Sequence, residues 1–217
     1  MKIVAAKKIL KVNDQLAAEN RAKLDAAGVF GINVVGSPGS GKTTLLEALF
    51  AELGGRLNPA VIEGDIAGSI DAQRIEAIGV PVVQINTDGA CHLDAAMVAS
   101  AVGELDLADI DILVIENVGN LVCTAGFDLG EHLRIIVLST SEGDDKAVKY
   151  PAIFQGSDAL FITKTDLAPY LNFDVARITA DMKRLAPNAP IFQVSALKGH
   201  GIPAAAKWLA EKAGGSG

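Results

Sequence analysis

Residues 36–44 read Gly36-Ser37-Pro38-Gly39-Ser40-Gly41-Lys42-Thr43-Thr44, a complete phosphate-binding P-loop. The apolar run Val29-Phe30-Gly31-Ile32-Asn33-Val34-Val35 leads into it, and Leu45-Leu46-Glu47-Ala48-Leu49-Phe50 follows. Strand, glycine-rich loop and helix, in that order, are the context that turns a pattern into a mechanism. The glycines let the backbone turn so that successive N–H groups point inward at a polyphosphate, and the helix N-terminus adds partial positive charge. Lys42 is expected to reach the β- and γ-phosphates and the Thr43 hydroxyl to hold Mg²⁺. A glycine-rich turn without a ligand is the bland alternative, but spacing, the Lys-Thr pair and the flanking elements all agree. The motif predicts a nucleoside triphosphate site built from Gly36 through Thr44.

Outward from the loop, apolar runs alternate with amphipathic segments. Strands are expected at Phe30–Val35, Ala60–Glu63, Pro81–Asn86, Asp111–Glu116, Leu133–Ser139, Ala159–Thr163 and Ile191–Val194. Helical patterns lie between most of them, clearest at Thr44–Leu53, Asp71–Ala77, Leu93–Val102, Asp174–Leu185 and Pro203–Lys212. Such alternation makes an α/β fold of the P-loop NTPase kind, a mostly parallel sheet of about seven strands with helices on both faces. Ligands then sit outside the carboxyl ends of the strands. Residues 6–27 have helical composition, with Ile9, Leu10, Leu16, Ala17 and Leu24 as candidates for a buried stripe. The expected organisation is an N-terminal helix (residues 1–28), one nucleotide-binding domain (29–213) and a flexible Gly-Gly-Ser-Gly tail (214–217).

At 217 residues the chain is long enough for one sizeable core. Half of it is hydrophobic but only 5% aromatic, so the core is expected to be aliphatic. A formal net charge of −7 argues against non-specific nucleic-acid binding. No apolar stretch approaches the roughly 20 residues that span a bilayer, and the start, Met1-Lys2-Ile3-Val4, lacks the pattern of a secretion signal. Two cysteines, Cys91 and Cys123, suit a reducing compartment rather than a disulfide framework. A cytoplasmic protein without membrane or nucleic-acid partners is the expectation.

The loop Phe161-Ile162-Thr163-Lys164-Thr165-Asp166-Leu167 resembles the Asn-Lys-x-Asp element by which GTPases read guanine. A carboxylate such as Asp166 accepts two hydrogen bonds side by side, and guanine offers neighbouring N–H donors. The stem of Lys164 is expected to lie across the base plane with its ammonium in water. Thr163 stands where that pattern has Asn, and a hydroxyl lacks the amide's paired donor and acceptor, so weaker guanine selectivity is expected. Downstream, Val194-Ser195-Ala196-Leu197-Lys198 resembles the loop whose backbone contacts guanine O6, which adds Ser195 and Ala196 to the nucleotide site.

Two acids end strands at the same edge. Asp65 closes Val61-Ile62-Glu63-Gly64-Asp65, and Glu116 closes Asp111-Ile112-Leu113-Val114-Ile115-Glu116. Mg²⁺ keeps several waters and needs one or two protein carboxylates, so Asp65 and Glu116 join Thr43 as its candidate ligands. An acid ending a buried apolar strand is costly unless something pairs with it. Phosphoryl transfer is mostly orientation and charge stabilisation, which makes Lys42, Asp65 and Glu116 the candidate catalytic residues.

A second constellation is Cys91-His92, in Asp88-Gly89-Ala90-Cys91-His92-Leu93-Asp94, together with Cys123 in Gly119-Asn120-Leu121-Val122-Cys123-Thr124. If both preceding strands are parallel in one sheet, these groups gather at its ligand edge. Two thiolates and an imidazole suit Zn²⁺ and also Ni²⁺. Taken alone, two cysteines and a histidine in loops are more often unrelated. His132, near Asp128 and Glu131, and His200 read as solvated or structural.

The run Glu116-Asn117-Val118-Gly119-Asn120-Leu121-Val122-Cys123, with Gly89-Ala90-Cys91-His92-Leu93, resembles the HypB family of GTPases that aid nickel insertion into [NiFe]-hydrogenase. Asp65-Ile66-Ala67-Gly68-Ser69-Ile70-Asp71-Ala72 and Ser141-Glu142-Gly143-Asp144-Asp145-Lys146 are similar to that family's loops, so the likeness covers nearly the whole chain. The resemblance implies a GTP-hydrolysing metallochaperone that uses Mg²⁺ with GTP. It implies nickel or zinc held at the interface of a GTP-promoted homodimer through Cys91, His92 and Cys123. The implied partners are a HypA-type metallochaperone and the hydrogenase large subunit. Thr124 replaces the proline that usually follows the cysteine, so a less rigid loop is expected, and the N-terminus lacks the family's Cys-rich and His-rich nickel motifs. A urease-type metallochaperone GTPase would carry a Cys-Pro-His motif, absent here. A P-loop small-molecule kinase would need a lid arginine cluster, and only Arg177 and Arg184 follow Leu167.

Overall fold

The apolar run before the P-loop forms β1 (Phe30–Gly36), which hydrogen-bonds in parallel to β4 (Ile112–Glu116) on one side and β5 (Leu133–Ser139) on the other. A computed structural model describes residues 6–214 of the chain; residues 1–5 and 215–217, and with them the N-terminal start and most of the expected tail, lie outside the described residues. The remaining strands are β2 (Pro59–Asp65), β3 (Val82–Asn86), β6 (Ala159–Thr163) and β7 (Ile191–Gln193). Among the described residues the sheet has seven strands in the order β3-β2-β4-β1-β5-β6-β7, and every pairing is parallel. The chain builds β2 and β3 on one side of β1, returns for β4, then adds β5 to β7 on the other. β1 and β4 therefore flank the reversal of strand order, the place where open α/β sheets take their ligands.

Alternation along the strands divides the core between two faces. Ile112 and Val114 join α2 (Lys42–Leu53) and α8 (Ile202–Gly214) on one face, through Leu45, Leu49, Phe50, Ala205 and Leu209. Leu113 and Ile115 meet α1 (Ala6–Ala27) and α4 (Ala95–Val102) on the other. On that second face, beyond β1, Ile136, Leu138, Leu160 and Ile162 are covered by α6 (Pro151–Gln155) and α7 (Val175–Leu185). The short helices α3 (Ile70–Ala77) and α5 (Lys146–Lys149) complete the layers. Gly214 is the last residue of α8 rather than the start of a tail. Among the described residues no helix is long and apolar enough to cross a membrane.

The buried stripe of α1 differs from the one expected. It runs Asn13, Ala17, Asn20 and Leu24, each at most 5% exposed, while Leu10 and Leu16 are half-buried and the Ile9 side chain lies outside the described ones. Two asparagines occupy the stripe because the helix docks on loop backbone as well as on apolar side chains. Asn13 Nδ2 donates to Asp128 O (2.8 Å) and its Oδ1 accepts from Ala95 N (2.9 Å). Asn20 Nδ2 donates to Ala95 O (2.8 Å) and Leu129 O (3.1 Å). Asn20→Ala removes two buried hydrogen bonds, at about 0.5–1.5 kcal/mol each, so urea denaturation is expected to register a loss of about 1–3 kcal/mol. A loss below about 0.5 kcal/mol would show that the Asn20 bonds do not hold α1 in place.

Candidate functional site: a P-loop and a sulfur–imidazole cluster on one rim

The P-loop turns through Gly41 at φ 91°, a left-handed conformation that favours glycine, and α2 begins at the next residue. Lys42, 8% exposed, holds its Nζ 3.4 Å from the carbonyls of Gly36 and Ser37. The Thr43 hydroxyl donates to Glu116 Oε1 at 2.8 Å, tying the start of α2 to the end of β4. Glu116 Oε2 and Ser40 Oγ are sealed from solvent without a protein partner. Asp65, half-exposed at the end of β2, accepts from the amide of Ile66. Thr43, Glu116 and Asp65 offer oxygen donors only, the set that a hard divalent cation takes, and the orphaned Glu116 oxygen has room for one more interaction.

Three loops close the side where a base would lie. Thr163 is buried, and its hydroxyl donates to Ser40 O at 2.6 Å. The residue expected to weaken guanine contacts therefore braces the P-loop, its one donor already occupied. Lys164 stands at φ 56° with Nζ 2.7 Å from Gly39 O, and Asp166 Oδ1 accepts from Ser195 Oγ at 2.6 Å. The two loops flagged in the sequence, with Ala196 next in line, are thus joined to each other and to the phosphate loop.

Cys91, His92 and Cys123 converge. Their ligand atoms all lie within 4.8 Å of one another, with Cys91 Sγ 3.7 Å from His92 Nδ1, and both cysteines are free thiols. A hydrogen bond that the Cys123 thiol donates to Cys91 is the main cause that pushes its pKa up, with burial and the Cys91 charge adding to it. Burial lowers the His92 imidazole, which favours the neutral, ligating form. The His92 ring packs on Phe127 with centroids 3.9 Å apart. Asn120 Oδ1 accepts from the amides of Val122 (2.7 Å) and Cys123 (2.9 Å), and the fully buried Thr124 donates its hydroxyl to Asn120 O (2.7 Å). The threonine at the family's proline position thus anchors this loop by a hydrogen bond.

The two constellations share a segment. A Cβ on Gly119 would stand 2.8–3.0 Å from three atoms of Pro38, so the β4 exit lies directly on the P-loop. Asn117 Oδ1 accepts from Leu93 N (3.1 Å), which fastens the same exit to the residue after His92.

A family model for the CobW/HypB/UreG nucleotide-binding domain matches residues 31–193. HypB from Helicobacter pylori, solved in complex with nickel, superposes with a TM-score of 0.89 at 40% identity, covering 94% of this chain and 95% of that one. This chain belongs to the HypB family. HypB from Archaeoglobus fulgidus gives a TM-score of 0.87 at 35% identity over 94% of this chain and 99% of that one. The hydrogenase maturation factor HypB of Azotobacter vinelandii is 50% identical over 202 residues, 93% of this chain. The chain spans 66% of that relative's length, just under two thirds.

Sequence reasoning missed two charged residues of this HypB-family site. Arg74, on α3, pairs with Glu47 and Asp71 and donates to the Thr44 hydroxyl at 2.9 Å. Its spacing from the P-loop carries no motif, and only the packing of α3 on α2 brings it there. Glu63, 3% exposed, is the register partner of Glu116 across β2 and β4. A charge inside an apolar run was the available signal. Other flagged residues have structural partners. His132 accepts from Gly31 N (2.8 Å) and meets Asp25 (2.7 Å), and His200 pairs with Ser195 in an isolated bridge. Arg177 and Arg184, on which a kinase lid would draw, are engaged by Asp144 and Asp181.

Burial, then the charges of Glu116 and its acidic neighbours, push the Glu63 carboxyl up to about 8; burial pushes Glu116 up to about 7 against Lys42 and the Thr43 hydroxyl. The folded protein thus retains protons that the unfolded chain releases near 4.5. Without a divalent cation, the stability these groups confer is complete below about 4.5 and is lost as pH rises through 7 to 8. Glu63→Gln is expected to flatten that decline, as read by urea denaturation in EDTA across a pH series. An unchanged slope would assign the decline to other groups.

Proposed function

We propose that this chain is a GTP-hydrolysing metallochaperone that carries nickel, or zinc, as cargo and assists nickel insertion into [NiFe]-hydrogenase. The observation that carries the reading is the β4 exit. Glu116, bonded to Thr43, and Cys123, clustered with Cys91 and His92, are seven residues apart on one segment, with Gly119 against Pro38 between them. The names of the relatives support it: one is a hydrogenase maturation factor and another was solved with nickel. In this reading the N-terminal segment, described as α1 from Ala6 to Ala27, is an appendage to a GTPase domain of residues 29–213.

The loop amides of residues 36–44 and the Lys42 ammonium hold the triphosphate. Thr43 and Glu116, with Asp65, hold Mg²⁺, which when bound neutralises charge on the β- and γ-phosphate oxygens. Asp65 orients the attacking water. Asp166 accepts the paired N–H donors of guanine while the stem of Lys164 covers the base, and the backbone of Ser195 and Ala196 meets its O6. Cys91, His92 and Cys123 leave a fourth position for water, an exogenous ligand or a second copy of the chain. With the family resemblance, the reading includes a GTP-promoted homodimer in the cytoplasm, with a HypA-type metallochaperone and the hydrogenase large subunit as partners.

The test is Mg²⁺-dependent nucleotide turnover with GTP and ATP in competition. GTP is expected to be hydrolysed, with ATP failing to displace it. Equal binding of the two would remove the guanine assignment. Absence of turnover with and without nickel would reduce the protein to a metal-binding module.

A further inference from the structure

Glu63 and Glu116 are directly opposed across adjacent parallel strands, and each is 3% exposed. Their side is the one that carries the P-loop helix. Val61 and Val114, two residues before each glutamate, pack with α2, while Ala60, Ile62, Leu113 and Ile115 face the other way. Asp65, two residues beyond Glu63, shares that side by the same period. Only one of the two glutamates has its needs partly met by protein. Thr43 bonds Glu116 Oε1, whereas Glu116 Oε2 and Glu63 Oε2 are both shut off from water with no hydrogen-bond partner. The nearby ammonium of Lys42 sits against the carbonyls of Gly36 and Ser37.

Two buried carboxylates side by side cost several kcal/mol unless a positive charge answers them. Packing offers no reason for a glutamate at this point of β2, since the preceding positions on that face are apolar. A hard divalent cation is the partner whose chemistry fits two buried carboxylates paired across neighbouring strands beside a hydroxyl. Resting on the reading of Thr43 and Glu116 as Mg²⁺ ligands, we propose that Glu63 is a further carboxylate of the same cation site, joining Glu116 across the β2–β4 pair. The site is then held by three elements, α2, β2 and β4, and occupancy couples the β2 exit that carries Asp65 to the β4 exit that leads to Cys123.

Mn²⁺ serves as the probe, titrated into the GDP-bound full chain with free Mn²⁺ read by electron paramagnetic resonance. Glu63→Gln, which keeps shape and removes charge, is expected to weaken Mn²⁺ binding by at least about 10-fold, with GDP affinity in EDTA measured beside it as the metal-free reference. Glu63→Asp, which keeps charge and loses reach, is expected to fall between. Unchanged Mn²⁺ affinity in Glu63→Gln beside a clear loss in Glu116→Gln overturns the inference alone. No loss in either variant overturns the reading of the cation centre on which it rests. Should Glu63→Gln fail to fold, wild-type protein labelled at the glutamate carboxyl carbons decides by nuclear magnetic resonance. Mg²⁺ is expected to shift two buried glutamate signals, and a shift confined to Glu116 overturns the inference.

Discussion

Lys42→Ala is expected to lower GTP turnover by about 10²–10³-fold, the scale seen when one preorganised charge-stabilising donor is removed. The loss should fall on turnover more than on binding, because the amides of the loop remain while the ammonium proposed to meet the β- and γ-phosphates is gone. Lys42 is also the cation whose charge acts on both Glu63 and Glu116. Its removal leaves those acids facing each other with less compensation, so the metal-free variant is expected to melt at a lower temperature as well. Single-turnover assays with bound GTP separate the effects, since a pure folding defect scales with the fraction of folded protein. Turnover within about threefold of wild type would show that the loop cradles a nucleotide without acting on it.

Cys123→Ala and Cys91→Ala form the second large expectation. Losing a partner that merely orients a metal ligand costs about 10–100-fold in affinity. Removing one of three ligands is therefore expected to weaken Ni²⁺ or Zn²⁺ binding by more than about 10²-fold. Both side chains are half-buried at the surface of the rim, so the protein should keep its fold and its GTP affinity. Equilibrium dialysis against a chelator gives the metal affinity, and a fluorescent guanine nucleotide reads the other site. Undiminished metal binding in either variant would mean that the 4.8 Å cluster is a coincidence of loop packing.

The strands were legible because each is a short apolar run bounded by loop residues. Leu133–Ser139 and Ala159–Thr163 match residue for residue. The helices α5 and α6 were not, since four and five residues are too short to display a helical period. At the candidate site, the P-loop announces itself by residue type and spacing, whereas Cys91, His92 and Cys123 gain their meaning only from the family resemblance and from their convergence. Glu63 does not announce itself, because its meaning lies in its register with Glu116, and register is a property of the sheet. Asn13 and Asn20 are absent from the expected stripe of α1 for the same reason: a polar residue on a helix reveals a buried role only once the backbone it bonds is in place. Thr163 was assigned to the base by analogy, whereas its hydroxyl is turned toward Ser40. The sequence pattern marks a position on a loop but not the direction in which its donor points.

In the proposed reading the segment from Glu116 to Cys123 links nucleotide state to metal geometry, and linkage demands that any effect be reciprocal. Ni²⁺ titrated into the GDP-bound and GTP-analogue-bound protein, paired with nucleotide affinity measured with and without Ni²⁺, tests that connection. The expected result is an affinity ratio between the two nucleotide states of about 5–150-fold, a coupling of roughly 1–3 kcal/mol, mirrored by the same ratio in nucleotide affinity. Equal Ni²⁺ affinity in both states would contradict the account and leave two independent sites on one rim.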